Sequence, residues 1–161
     1  MNKAVFLDRD GVLNQELGDY VCRLEDFKIL EHNYPALLEL QSRGYLLIVI
    51  TNQGGLAKGW YTEEVLEAMH RQLTERYNAQ GIHLSAIYYC RHHPEYNGKC
   101  LCRKPGSLLL EKAAARFNVD PAKSYFIGDR ERDIIAGQAA GLPGILIDSD
   151  QPIGEVLHLI S

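Results

Sequence analysis

Three absences narrow this chain of 161 residues before any motif is read. No apolar run approaches the ~18 residues that a membrane span requires. Met1-Asn2-Lys3 leads straight into the short stretch Ala4 to Leu7, without the basic, apolar and small-residue zones of a secretory leader. A cytoplasmic protein with no membrane partner is expected. Positive charge is scattered and outnumbered, 17 basic residues against 21 acidic ones for a net charge of -4, so the basic face that a nucleic-acid partner demands is missing. Cysteine is scarce, four in all. Cys22 stands alone, while Cys90, Cys100 and Cys102 share one loop with histidines, which reads as metal binding rather than as a disulfide framework. Repeats, low-complexity tracts and linkers are also lacking, and the length suits one domain, so residues 1–161 are read as a single unit.

What is present is an alternation of two periodicities. Short apolar runs at Ala4–Asp8, Tyr45–Thr51, Ser85–Tyr89, Ser124–Ile127 and Gly144–Ile147 read as buried strands. Between them lie helical patterns: Pro35–Arg43, opened by a proline and stopped at Gly44; a long amphipathic stretch from the Thr62 cap to Gly81; Ser107–Phe117; and Arg132–Ala140. Strands that alternate with helices predict an α/β fold, a doubly wound, mostly parallel sheet covered on both faces. In such sheets ligands bind beyond the carboxyl ends of the strands, and Asp8, Thr51 and Asp129 each fall at such an end.

Asp8 and Asp10 sit two residues apart where the first strand ends and Gly11 lets the chain turn. Carboxylates that share a site repel, so they need a shared proton or a cation, and a hard oxygen-seeking ion such as Mg2+ is the natural partner; Asp129 can add a ligand. A single acid after a strand is more often a turn or cap residue, a lone threonine there a strand residue, and a lone lysine a solvated one. The joint pattern is different. Asp8-Arg9-Asp10-Gly11-Val12, Thr51-Asn52-Gln53, Lys104-Pro105 and Gly128-Asp129 resemble, in order, the four motifs of the haloacid dehalogenase superfamily.

The resemblance implies a Rossmann-like core and a covalent route. Asp8 is the nucleophile that forms an aspartyl phosphate, Asp10 the general acid and base, and Thr51 and Lys104 the stabilisers of the phosphoryl group. Asp8, Asp129 and Asp10, the last through its main-chain carbonyl, are the expected Mg2+ ligands, with Asp133 behind them. Glu16, Gly18, Asp19, Asn52, Gln53, Gly54, Arg103 and Arg130 are the expected substrate-binding residues.

The loop from Cys90 to Pro105 offers three thiols and, from His92 or His93, an imidazole, enough to close a structural Zn2+ site. Reduced, unligated cysteines are the plainer alternative. The loop resembles that of the histidinol-phosphatase-like branch of the superfamily, in particular the D-glycero-D-manno-heptose 1,7-bisphosphate 7-phosphatases, where a Cys-x-His and a Cys-x-Cys-Arg-Lys-Pro bind zinc. By that match the ligands are Cys90, His92, Cys100 and Cys102. Arg103 is expected to make a bidentate contact to a second phosphate, the group that distinguishes a sugar bisphosphate from a simple monoester.

No long insertion leaves room for a separate cap domain. The expected activity is removal of the 7-phosphate of a heptose bisphosphate, in carbohydrate metabolism, by a monomer acting on a small phosphorylated sugar. Histidinol-phosphate phosphatase is the enzyme alternative, because Gly106-Ser107-Leu108 and the stretch after the last strand depart from the heptose pattern. A phosphosugar-binding or zinc-stabilised interaction module is the non-enzyme one.

Overall fold

In the computed structural model, which describes residues 1–161, five strands form one sheet: β1 (Lys3–Leu7), β2 (Tyr45–Asn52), β3 (Leu84–Cys90), β4 (Tyr125–Gly128) and β5 (Gly144–Leu146). Their order is β3-β2-β1-β4-β5, and every neighbouring pair is parallel. The helices are α1 (Tyr34–Ser42), α2 (Glu63–Ala79), the four-residue α3 (Pro94–Asn97), α4 (Leu108–Arg116) and α5 (Glu131–Ala139). No helix is long and apolar enough to cross a membrane.

The pleat divides the apolar residues between two cores. Val5 and Leu7 of β1 face one layer with Val49 of β2 and Leu37, Leu40, Met69, Leu73 and Tyr77 of α1 and α2. Ala4 and Phe6 face the other with Ile48, Ile50 and Leu109, Leu110, Ala113 and Ala136 of α4 and α5. Successive residues of a strand point to opposite faces, so a continuous apolar run is what a sheet covered on both sides demands.

Local signals place the helix ends. Thr62 Oγ1 accepts a hydrogen bond from the Val65 amide at 3.3 Å, and Glu63 and Glu64 occupy the first turn of α2, where the helix dipole favours negative charge. The strand and helix spans expected from the sequence agree with the observed ones to within a residue or two. Five short elements were not anticipated: three-residue 3-10 turns at Leu24–Asp26, Glu31–Asn33 and Pro121–Lys123, and two longer ones. The short α3 lies inside the cysteine loop, and a 3-10 turn, Ile153–Leu159, closes the chain by burying Ile153 and Val156. Both are too short for periodicity to register.

Chain order reverses between β1 and β4, which are neighbours although two strands intervene in sequence. Leu7 pairs with Ile127, and the Asp8 amide donates to the Ile127 carbonyl at 3.1 Å. The acids that follow the two strands therefore meet at this switch point.

Buried Asn33 ties the loop after β1 to the C-terminal turn. Its Nδ2 donates to the Val12 carbonyl at 2.7 Å, and its Oδ1 accepts from the Ile153 amide at 2.8 Å. Asn33→Leu leaves both main-chain groups buried without a partner and should destabilise the protein by about 2 to 4 kcal/mol. Urea denaturation should show this as a lower midpoint at constant slope.

Candidate active site

Asp8, Asp10, Thr51, Asn52, Asp129 and Arg130 line a cleft of ≈ 390 Å³ at the carboxyl ends of the strands, together with Glu16, Gly18, Asp19, Tyr20, Lys58 and Arg132. Lys104 lies beneath its floor, 2 % exposed. The Lys104 ammonium is 2.9 Å from Asp8 Oδ1, 2.7 Å from Asp133 Oδ1 and 2.8 Å from the Ile50 carbonyl. Asn52 brings it there: its side-chain amide exchanges hydrogen bonds with the Lys104 main chain, at 2.9 Å from the amide and 3.1 Å to the carbonyl.

Asp8, Asp129 and Asp133 each offer a carboxylate oxygen to one point, the three atoms lying within 4.8 Å of one another. Burial, supported by Asp133 and Asp129 and opposed by Lys104, raises the Asp8 carboxyl to about 8. Three acids balanced by one lysine lack positive charge. Burial acts to lower the Lys104 pKa, but Asp8 and Asp133 outweigh it and raise the value, so the ammonium stays charged.

The residues fit a cation. Asp129 Oδ2 accepts from Ser149 Oγ at 2.7 Å, while Asp129 Oδ1 is buried with no hydrogen-bond partner, an oxygen aimed into the cluster. Asp133 Oδ2 accepts from the Arg130 amide at 3.1 Å, and Asp133 Oδ1, 2.7 Å from the Lys104 ammonium, is likewise buried without a partner in hydrogen-bond geometry. Gly11, at φ +82, is required here, because a Cβ would stand 2.1 Å from Asp129 Oδ2.

The carboxylate of Asp10 does not join the cluster. Its Oδ1 accepts from Arg9 Nε at 3.1 Å, Arg9 Nη2 at 2.6 Å and Asn14 Nδ2 at 2.8 Å, and its Oδ2 accepts from Gln53 Nε2 at 3.2 Å. Burial would raise this carboxyl, but the Arg9 charge and the three side-chain donors outweigh it and hold the group below the usual range. Gln53 Nε2 also donates to Thr51 Oγ1 at 3.0 Å, which leaves the threonine O–H for another acceptor.

Of the other sequence-predicted residues, Glu16 pairs with Arg130 at 3.5 Å across the cleft and accepts from the Gly18 amide at 2.9 Å. Gln53, Gly54 and Arg103 do not line the cleft. Arg103 Nη1 donates to the His92 carbonyl at 3.3 Å, beside Gly54, where a Cβ would lie 2.9 Å from that nitrogen and 2.8 Å from the Tyr20 hydroxyl.

Cys90, His92, Cys100 and Cys102 converge on a second point that can hold a metal ion. Cys90 and Cys102 are 2.9 Å apart, Cys90 and Cys100 3.6 Å, and His92 Nδ1 is 3.2 Å from Cys102 Sγ. Four soft and borderline donors at these spacings approach the tetrahedron of about 3.8 Å edges that thiolates make around an ion at ~2.3 Å. His93 faces elsewhere: its Nδ1 caps α3 by accepting from the Glu95 amide at 3.2 Å.

Sequence reasoning missed Arg9, Tyr20, Lys58, Arg132 and Ser149. Tyr20 and Lys58 come from two different loops and Arg132 from the first turn of α5, and none of them carries a spacing signal. Ser149 lies after the last strand, and its position at a carboxyl end is the one hint to its role.

Comparison with known proteins identifies the family. The family model described as "HAD-hyrolase-like" matches residues 101–154. The D-glycero-beta-D-manno-heptose-1,7-bisphosphate 7-phosphatase of Haemophilus ducreyi is 45% identical over 148 residues, 87% of this chain and 79% of the relative. The D-glycero-alpha-D-manno-heptose-1,7-bisphosphate 7-phosphatase of Photorhabdus laumondii is 34% identical over 95% of this chain and 86% of its own. The crystal structure of the D,D-heptose 1,7-bisphosphate phosphatase of B. bronchiseptica, complexed with magnesium and phosphate, superposes with a TM-score of 0.83 at 33% identity, covering 89% of this chain and 79% of that one. The chain belongs to the haloacid dehalogenase-like hydrolases, within the family of D-glycero-D-manno-heptose-1,7-bisphosphate 7-phosphatases.

Proposed function

We propose that residues 1–161 act as one cytoplasmic, monomeric phosphatase domain that removes the 7-phosphate of D-glycero-D-manno-heptose 1,7-bisphosphate. The observation that carries the reading is the pair of carboxylates with opposite surroundings. Asp8 lies in the acidic cluster beside Lys104, and Asp10 is held away from it by Arg9. Two acids in contrasting surroundings can take separate roles, and a cation held at the cluster would offset the burial that raises Asp8 and keep it the carboxylate that a nucleophile must be.

Asp8 attacks phosphorus, a bond forming from its carboxylate as the bond to the leaving oxygen breaks. Asp10 gives that oxygen a proton, and later takes one from the water that releases phosphate. Lys104 and the Thr51 hydroxyl receive the phosphoryl oxygens as charge moves onto them. Asp8, Asp129 and the Asp10 main-chain carbonyl would hold Mg2+, with Asp133 behind them. The ion would supply charge neutralisation to a site whose acids outnumber its lysine. Cys90, His92, Cys100 and Cys102 would hold Zn2+ structurally, since four protein ligands leave no open position.

The substrate reading rests on the relatives' common activity and on the cleft's mixed charge. Glu16, Gly18 and Asp19 offer acceptors to sugar hydroxyls, and Asn52 and Arg130 line the same cleft. Gln53 acts through its hydrogen bonds to Thr51 and Asp10, and Gly54 leaves room for the Tyr20 hydroxyl and Arg103. Arg103, outside the cleft lining but close to Gly54 as is the Tyr20 hydroxyl of the cleft wall, would turn from the His92 carbonyl to meet the second phosphate.

Phosphate release should be measured with Mg2+ from heptose 1,7-bisphosphate and from histidinol phosphate side by side. A clear preference for the bisphosphate is expected, and Asp8→Asn should lower kcat by more than about 10³-fold. Preference for histidinol phosphate would overturn the substrate, and activity that survives Asp8→Asn would overturn the covalent route.

Metal analysis of the purified protein should find about one zinc per chain. Cys100→Ser should lower that content and the thermal midpoint together, by several degrees, as loss of a structural ion destabilises the loop it closes. An unchanged midpoint in a zinc-free variant would remove the structural role.

A further inference from the structure

Arg9 is the bulkiest fully buried side chain of the protein, and the phosphoryl chemistry above makes no use of it. A guanidinium sealed from water needs partners for its N–H groups, and each of its three nitrogens has one. Nε and Nη2 both reach Asp10 Oδ1. Nη1 stands 3.2 Å from His70 Nε2 and 3.9 Å from Met69 Sδ, and the Phe27 ring lies 5.1 Å from the guanidinium carbon. Arginine can only donate, so His70 Nε2 is the bare nitrogen that accepts, and the imidazole carries its proton on Nδ1. His70 and Met69 belong to α2, so a helix outside the cleft reaches through Arg9 to the acid at the strand end.

The two oxygens of Asp10 are thereby made unequal. Oδ1 accepts three hydrogen bonds, from Arg9 twice and from Asn14. Oδ2 accepts one, from Gln53 Nε2. The Tyr61 hydroxyl donates to Gln53 Oε1 at 2.5 Å, which sets the amide with its nitrogen toward Asp10. An oxygen with three donors has no lone pair left for a proton, whereas Oδ2 keeps one.

We propose that Arg9 and His70 are positioning residues, which dedicate Asp10 Oδ1 to structure and leave Oδ2 as the oxygen that exchanges the proton with the leaving group. The inference rests on the acid–base role proposed for Asp10. As Asp8 forms its bond to phosphorus and the bond to the leaving oxygen breaks, the Oδ2 proton passes to that oxygen. As water then bonds to phosphorus and the bond to Asp8 breaks, Oδ2 takes a proton from the water, and the carboxyl group is restored. Nothing is consumed besides water. His70 acts at one remove, by fixing the guanidinium from behind so that Nε and Nη2 can meet a single oxygen.

The test exploits the leaving group. An alkyl phosphate needs protonation as its alkoxide departs, whereas an aryl phosphate such as p-nitrophenyl phosphate departs without it. kcat/KM reports steps up to the phosphoryl transfer, so the ratio of kcat/KM for an alkyl phosphate to that for p-nitrophenyl phosphate isolates the proton. His70→Leu removes the acceptor and Arg9→Lys removes the fork. Both should lower the ratio about tenfold or more, within the share of rate that a positioned acid contributes. His70→Gln, whose side-chain oxygen can take the place of Nε2, should keep it within about twofold.

Circular dichroism confirms that each variant folds. The proposal is overturned if the ratio in His70→Leu and Arg9→Lys stays within about twofold of the unaltered protein, whether both constants fall together or neither falls. It is equally overturned if His70→Gln loses the ratio as fully as His70→Leu. p-Nitrophenyl phosphate hydrolysis that survives Asp8→Asn would instead fell the covalent route beneath it.

Discussion

The contact on which the rest of the site depends is the buried Lys104 ammonium between Asp8 and Asp133. Two carboxylates removed from water cannot both stay ionised unless a cation lies beside them, and removing one partner of such a group leaves an uncompensated charge that costs several kcal/mol. Lys104 joins the end of β1 to the start of α5, and it enters from a loop that belongs to neither. Its main chain is clamped by Asn52 at the end of β2. One side chain thus draws three strand ends and the cysteine loop into a single constellation, and the doubly wound sheet serves to hold those ends in register.

A second buried cation works by the opposite logic. Lys104 sits among the acids of the cluster and leaves them short of positive charge, which suits a site built to receive a further cation. Arg9 gives Asp10 the whole of its fork and removes that carboxylate from the cluster. Two aspartates two residues apart in sequence therefore live in different electrostatic surroundings, and the difference comes from which buried cation each one meets. The same separation leaves His70 neutral: burial, reinforced by the adjacent guanidinium, lowers its pKa to about 3.

The loop from Cys90 to Pro105 has a part of its own. Loops of this length are ordinarily mobile unless something ties them down, and four side chains that can close on one ion would be an effective tie. Cys102 directly precedes Arg103 and Lys104, so any looseness at the thiols is passed to the lysine beside Asp8. Tyr20 and Lys58, from loops, and Arg132, from the first turn of α5, also line the cleft.

Much of this was legible in the amino-acid sequence. Unbroken apolar runs marked strands buried on both faces, helical spacing between them marked the covering layers, and the acids, threonine and lysine carried a resemblance strong enough to assign roles. The three thiols with their histidine were visible as a metal loop. Other relations had no sequence signal, because they arise where distant segments meet. Nothing in the order of residues says that Arg9 turns to Asp10 and His70, that Asp133 reaches Lys104, or that Ser149 supports Asp129. Nor could spacing choose between His92 and His93, which are adjacent in the chain. Residue types and their periodicity determined the fold class and the kind of chemistry, since both depend on patterns along one dimension. The pairing of buried charges was decided by tertiary structure alone, since the energy of a buried charge depends on which groups lie within a few ångströms of it in space.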